Sequence, residues 1–216
     1  MIVQIETVES QPFAENSYVV WADGRDEAFV IDPGMEPELI LDVLRTRNLR
    51  LVAIVNTHSH LDHIAGNAAM KSAYPDAPII IGEGEAAFLT DANLNRSVMY
   101  GMPITSPPAD RTVADGDVLE VAGITMDVRE IPGHSPGHVV YILRDVAPTL
   151  VLGGDVLFRG SVGRTDLPGG SFRQLEDGIR GKLWPLPDDA IVYPGHGPVT
   201  TIGHEKRTNP FVGDRA

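Results

Sequence analysis

Residues 51–63 constrain the fold more than any other part of the sequence. The apolar run Leu51-Val52-Ala53-Ile54-Val55 leads directly into Asn56-Thr57-His58-Ser59-His60-Leu61-Asp62-His63. A short, β-branched run of this kind reads as a buried strand. Three histidines and an aspartate then follow within six residues. His58 and His60 are two apart, so in extended chain they point the same way. Asp62 and His63 fall in the first turn of the helix expected next. One histidine here would read as a solvated loop residue. Four metal-type side chains in the pattern H-x-H-x-D-H read as a metal site. The fold therefore has to bring the end of a buried strand to an edge that a ligand can reach.

Three other strands end in the same manner. Met126–Ile131 is followed by Pro132-Gly133-His134. Leu150–Leu152 is followed by Gly153-Gly154-Asp155, and Ile191–Tyr193 by Pro194-Gly195-His196-Gly197. Each is an apolar strand, a Gly or Pro-Gly turn and one metal-type side chain. Sheets bind ligands at such edges, where loops converge, and glycine lets backbone approach closely. The chain has no cysteine, so the site is built from nitrogen and oxygen alone. Five histidines and two aspartates suit two divalent ions, Zn²⁺ first, with Fe or Mn as alternatives. The natural split gives His58, His60 and His134 to one ion and Asp62, His63 and His196 to the other, with Asp155 bridging. Ions this close make a strong nucleophile from water at neutral pH. Two histidines remain. His138, at the start of a strand, is expected to stay off the metals, approaching at most from behind. His204, among Glu205, Lys206 and Arg207, is expected to be solvated.

Strands are also expected at Ser17–Trp21, Ala28–Ile31, Pro78–Ile81, Val118–Val121 and Val139–Leu143. Helices are expected at Glu36–Arg47, Leu61–Tyr74, Glu83–Thr90 and Phe172–Lys182. Asp91–Pro108 holds three prolines and no clear period. It reads as a long surface loop, and loops of that length are often functional. No linker or low-complexity tract interrupts the chain, so 1–216 reads as one domain. Seventeen basic and thirty acidic residues give a formal charge of −13. A field of that sign repels nucleic acid and anionic membrane, leaving a small molecule as the expected partner. Met1–Ser10 has no basic cluster or apolar core of a leader, and the apolar runs are too short for a bilayer. The cytoplasm is the expected compartment. No apolar stripe demands a dimer, so a monomer or small homo-oligomer is expected. Gly82-Glu83-Gly84-Glu85-Ala86-Ala87 matches a loose dinucleotide pattern, but two glutamates would repel a pyrophosphate. Gly133-His134-Ser135-Pro136-Gly137 matches a serine-hydrolase elbow, but Pro136 lacks the N–H that the elbow requires.

The order of the H-x-H-x-D-H run, the His134 turn, Asp155 and the His196 turn resembles the metallo-β-lactamase superfamily, from Asn16-Ser17-Tyr18 through Gly197. That resemblance implies an α/β fold, a four-layer αββα sandwich with the metals at one edge. Asp155-Val156-Leu157-Phe158 and Gly163-Arg164-Thr165-Asp166 are similar to the glyoxalase II group, which hydrolyses hydroxyacylglutathione thioesters. The tail from Thr200 to Pro210 resembles the short bacterial branch of that group. Implied roles follow: Asp62 orients the attacking water and takes its proton, and Arg164 binds a substrate carboxylate. An ion pair with Asp166 is the competing reading of Arg164. The larger enzymes carry a C-terminal helical domain that this length leaves no room for. Two tyrosine positions of theirs hold Pro198 and Asp166 here. Persulfide dioxygenases, which bind one iron with residues matching His58, His134 and Asp155, are the alternative. The Pro194-Gly195-His196-Gly197 turn favours the dinuclear hydrolase over them. Hydrolysis of another ester, a lactone or an amide also stays open.

Overall fold

The computed structural model describes residues 1–214 and 216. Strands β1 (Val3–Ser10), β2 (Glu15–Ala22) and β3 (Glu27–Ile31) lead to helix α1 (Pro37–Thr46) and strand β4 (Arg50–Val55). Helices α2 (Leu61–Ile64) and α3 (Asn67–Ala73) precede β5 (Ile79–Gly82), β6 (Arg111–Val113), β7 (Val118–Val121), β8 (Ile124–Glu130), β9 (Val139–Leu143) and β10 (Leu150–Gly154). The hairpin β11 (Leu157–Phe158) and β12 (Ser161–Val162), helix α4 (Phe172–Gly178), β13 (Ile191–Pro194), β14 (Thr200–Thr201) and α5 (Ile202–Thr208) complete the chain.

Two six-stranded sheets form, in the orders β1-β2-β3-β4-β5-β6 and β14-β13-β10-β9-β8-β7. Alternation along each strand sorts side chains between two faces. Phe29 and Ile31 of β3 meet Tyr141 and Leu143 of β9 in the core between the sheets. Ala28 and Val30 face outward onto Ile40 and Leu44 of α1 and Met70 of α3. Val140 and Ile142 face outward onto Leu175 of α4 and Ile202 of α5. The layers are therefore helix, sheet, sheet, helix, the αββα order.

β3, β4 and β5 run parallel in one sheet, and β8, β10 and β13 share a direction in the other. The C-terminal ends of both groups meet at one edge. Backbone bonds stitch the sheets together there: the Val139 N–H donates to the Thr57 carbonyl at 2.9 Å and the Asn16 N–H to the Gly195 carbonyl at 2.7 Å. The Tyr18 hydroxyl adds a bond to the Pro194 carbonyl at 2.5 Å.

The structure corrects several element boundaries. The single helix expected over 61–74 is two, broken at Ala65-Gly66. Gly66 passes over the end of β3, and its N–H donates to the Pro33 carbonyl at 2.8 Å. A β carbon on Gly66 would lie 2.8 Å from the Gly34 carbonyl oxygen. Helix α4 ends at Gly178 and continues as one wider turn over Ile179–Leu183. Residues 83–88 form a 3₁₀ turn, and so do Ser97–Tyr100 within the long loop. The edge strands β1 and β6 and the helix α5 carry no pattern strong enough to be read in the sequence. No helix among the described residues is long and apolar enough to cross a membrane.

Candidate metal centre

All seven predicted ligand residues meet at the edge where the strands end. The ligand atoms of His58, His60 and His134 lie within 4.8 Å of one another, as do those of Asp62, His63 and His196. Asp155 reaches both sets. Its Oδ2 is 3.4 Å from His134 Nε2 and 3.6 Å from His196 Nε2, and its Oδ1 is 3.5 Å from His63 Nε2. Three buried atoms here have no hydrogen-bond partner among the described residues: His58 Nε2, His63 Nε2 and Asp155 Oδ1. Buried lone pairs are costly without a partner. Three on adjacent side chains at one edge are the donor set that a divalent cation satisfies. The residues present therefore fit the two ions expected from the sequence.

The far nitrogen of each ring shows which nitrogen is bare. His58 Nδ1 is 3.0 Å from Thr57 Oγ1, and His63 Nδ1 is 3.1 Å from Asp32 Oδ2. His134 Nδ1 faces the Arg164 carbonyl at 2.9 Å and His196 Nδ1 the Phe13 carbonyl at 3.2 Å. Carbonyl and carboxylate partners require N–H at Nδ1, so Nε2 presents its lone pair. His60 differs: its Nδ1 faces His134 Nε2 at 2.8 Å.

Four further residues, Asp32, Thr57, Glu85 and His138, stand behind the ligands. Asp32 is buried and accepts the Thr57 N–H at 2.7 Å and the Thr57 hydroxyl at 2.6 Å, besides facing His63. Its φ of 47° is uncommon for a residue with a β carbon. Thr57 thus links Asp32 to His58. Glu85 accepts from the Ser59 hydroxyl and N–H and from the Gly137 N–H, joining the H-x-H-x-D-H segment to the His134 turn. His138 is fully buried and stacks on His58 with ring centroids 4.7 Å apart. It stays off both ligand sets. Of these, Asp32 had a readable cue: an Asp-Pro-Gly at a strand end beside the metal strand.

Burial sets the protonation states. It pushes the His58 imidazole well below its usual value, helped by His63 and His138, and holds His60 down at about 3. Both are neutral, as a metal ligand requires. Burial acts to raise Asp155, but His63 and His134 outweigh it and hold the carboxylate ionised. Burial likewise lowers His63, but Asp155 and Asp62 reverse this and raise it. That proton sits where a cation's charge would replace it.

The centre opens into a cavity of about 340 Å³ lined by Asp62, Asp155 and His196 and walled by Phe13, Phe158 and Leu167. Two arginines, Arg96 and Arg164, line it. Arg164 also pairs with Asp166, Nε to Oδ1 and Nη2 to Oδ2, both at 2.8 Å. The expected ion pair with Asp166 is therefore present, and Arg164 also lines the cavity. Tyr100 of the long loop lines the cavity and packs edge-on against Phe13, with centroids 5.4 Å apart. His204 is half exposed and away from the centre.

Known proteins resemble this chain in sequence and fold. The model of the metallo-beta-lactamase superfamily matches residues 10–196. The chain is 36% identical over 217 residues to hydroxyacylglutathione hydrolase GloC of Haemophilus influenzae, covering 99% of this chain and 100% of that protein. The solved structure of BLEG-1 B3 metallo-beta-lactamase superposes with a TM-score of 0.92 at 38% identity, covering 97% of this chain and 99% of that one. The structure of TTHA1623 in a di-iron-bound form superposes at 0.82 with 37% identity, covering 95% of this chain and 99% of that one. With the αββα layers, the ligand order and these likenesses in agreement, the chain belongs to the metallo-β-lactamase superfamily.

Proposed function

We propose that this metal-dependent hydrolase is dinuclear and cleaves a thioester of the hydroxyacylglutathione type, S-lactoylglutathione being the model substrate. The observation that carries the two-ion reading is Asp155. Its two oxygens reach ligand atoms of both three-residue sets, so one carboxylate would serve both ions. The likeness to GloC over the whole chain supports the thioester. The mostly apolar cavity with two arginines suits an acyl group joined to an anionic carrier.

Divalent ions held by these residues supply Lewis acidity, both for a water of lowered pKa and for a polarised carbonyl. The protein's own groups do the rest. Burial acts to raise Asp62, but His63 and His196 keep its carboxylate ionised. It therefore accepts a proton and orients the attacking water. Asp32, through Thr57 and His63, holds His58 and His63 in the tautomers that present Nε2. A thiol leaving group has an ordinary pKa near 8.5 and departs without a proton donor. Arg164 carries a fork that fits a carboxylate of the carrier, but in this structure Asp166 occupies it.

Likeness to a B3 metallo-beta-lactamase supports a second reading, hydrolysis of a cyclic amide, for which Asp62 would have to return its proton to the leaving nitrogen. An iron-dependent persulfide dioxygenase needs only residues matching His58, His134 and Asp155, and leaves the second set without a role. Metal analysis of the purified protein, followed by assays on S-lactoylglutathione and on a β-lactam, separates the three. Two ions per chain and thioester turnover are expected. One iron per chain favours the dioxygenase. A fully loaded dinuclear protein inactive on thioesters overturns the thioester reading.

A further inference from the structure

Arg164 is the basic residue that motif similarity puts forward for a substrate anion, yet Asp166 already accepts from its Nε and Nη2. Arg96 lines the same cavity in a different state. Its guanidinium donates only to carbonyl oxygens, Pro168 at 2.6 Å and Asn93 at 3.4 Å. No carboxylate among the described residues lies within 4.0 Å of it. Its Nε is buried without a hydrogen-bond partner among them. A guanidinium has five donors and carries a permanent charge. At Arg96 most of that capacity is unused, and a neutral carbonyl compensates the charge poorly.

The backbone holds this side chain firmly beside the metal ligands. Arg96 has φ 69°, in the left-handed region that a residue with a β carbon seldom adopts. Its neighbour Asn95 accepts the Leu61 N–H at 3.1 Å, between His60 and Asp62. The Asn95 side chain accepts the Ser97 N–H at 3.0 Å and donates to the Ile104 carbonyl at 2.8 Å. Asn95 and Ser97 are themselves buried. A disfavoured backbone kept by this many bonds marks a position that the surroundings determine. The loop thus carries one cation to a fixed place near the metal centre.

We propose that Arg96 is the anion receptor of the cleft and that the substrates are thioesters carrying a carboxylate. This deepens the thioester reading and rests on it for the reaction. The carboxylate could belong to the thiol half or to the acyl half, and three substrates separate these. S-lactoylglutathione places it on the thiol half, S-succinyl-N-acetylcysteamine on the acyl half, and S-lactoyl-N-acetylcysteamine has none. The readout is the preference for an anionic over the neutral thioester, as a ratio of kcat/KM, in the wild type and in R96A, R96K and R164A. The preference is expected to fall about tenfold or more in R96A, through KM. R96K should restore part of it, because lysine keeps the charge without the fork. The half whose anion is favoured names the source.

A merely structural role, as a strap onto Pro168, would weaken anionic and neutral substrates in parallel. That result overturns the proposal, as does an unchanged preference in R96A. Calorimetric binding of glutathione and of succinate to the metal-loaded protein provides a readout without turnover. If no thioester is turned over, the thioester reading fails. Binding of either anion that is lost in R96A would then still support the receptor, and binding equal in R96A and wild type would overturn it.

Discussion

The backbone N–H of Asp155 donates to Nε2 of His138 across 3.0 Å, and the same ring stacks on His58. One imidazole therefore positions Asp155, the proposed bridge, and braces His58. It can accept at Nε2 only as a neutral ring with its proton at Nδ1, which has no partner among the described residues. Burial keeps it neutral by pushing its pKa well below the usual value. His138→Ala leaves the Asp155 N–H orphaned and opens a gap against His58. The expected cost is about 1–3 kcal/mol in the metal-free protein. Denaturant unfolding of both proteins after chelation measures it, and a cost below about 0.5 kcal/mol would show that the contact is incidental.

Asp32 sits one layer behind the ligands and touches three groups, the Thr57 N–H, the Thr57 hydroxyl and His63 Nδ1. Outer partners of metal-bound histidines typically change metal affinity by about 10–100-fold. Asp32→Asn keeps the volume but cannot accept at every contact, and its amide would present N–H to one of these donors. A loss of affinity in that range is expected, measured by competition with a chromophoric chelator. Thr57→Val should show part of the same loss, because it cuts the link from Asp32 to His58 while leaving the His63 contact.

Much of this centre is legible in the sequence because four ligands cluster just after β4 and the other three, His134, Asp155 and His196, each follow the end of a strand. An apolar run fixes the strand, a glycine ends it, and the next polar residue has to point off the edge. That logic holds at Asp155: Gly154 has φ 46°, and a β carbon there would lie 2.7 Å from His138 Nε2. Residues such as Asp32, Glu85 and His138 escape it because their partners are 25, 52 and 17 positions away. Strand pairing within a sheet brings Asp32 to Thr57 and His138 to Asp155, and the meeting of the two sheets brings Glu85 to Gly137. The break in the helix over 61–74 escapes for the same reason, since Pro33 and Gly34 cause it from another sheet strand. Arg96 gives no local signal, because its place depends on the bonds of Asn95.

Removing Asp155 tests the two-ion assignment directly. The carboxylate is held ionised by His63 and His134 against the effect of burial, and it reaches both sets. Asp155→Ala is expected to lose both ions, with metal content after dialysis falling from two per chain towards zero. Circular dichroism should confirm that the variant remains folded. Retention of two ions by a folded variant would mean that the sets are independent and that Asp155 bridges nothing.

The pair between Arg164 and Asp166 allows a prediction with a definite pH range. The Arg164 fork holds the Asp166 carboxyl down to about 2 from its ordinary 3.8. Because the folded pKa is depressed, the pair is complete above the ordinary carboxylate value and is lost only as pH falls through about 2. Between pH ~5 and ~8 neither partner titrates, so Arg164 stays engaged and cannot cause a change in KM over that range. Both side chains are largely exposed, and their pairing therefore limits Arg164 as a receptor more than it stabilises the fold. Asp166→Asn releases the fork. KM for S-lactoylglutathione is expected to fall severalfold at every pH in the range, without a new inflection, and the gain should diminish with salt as exposed charges are screened. An unchanged KM in D166N would show that a substrate anion does not reach Arg164 and would leave recognition to Arg96 alone.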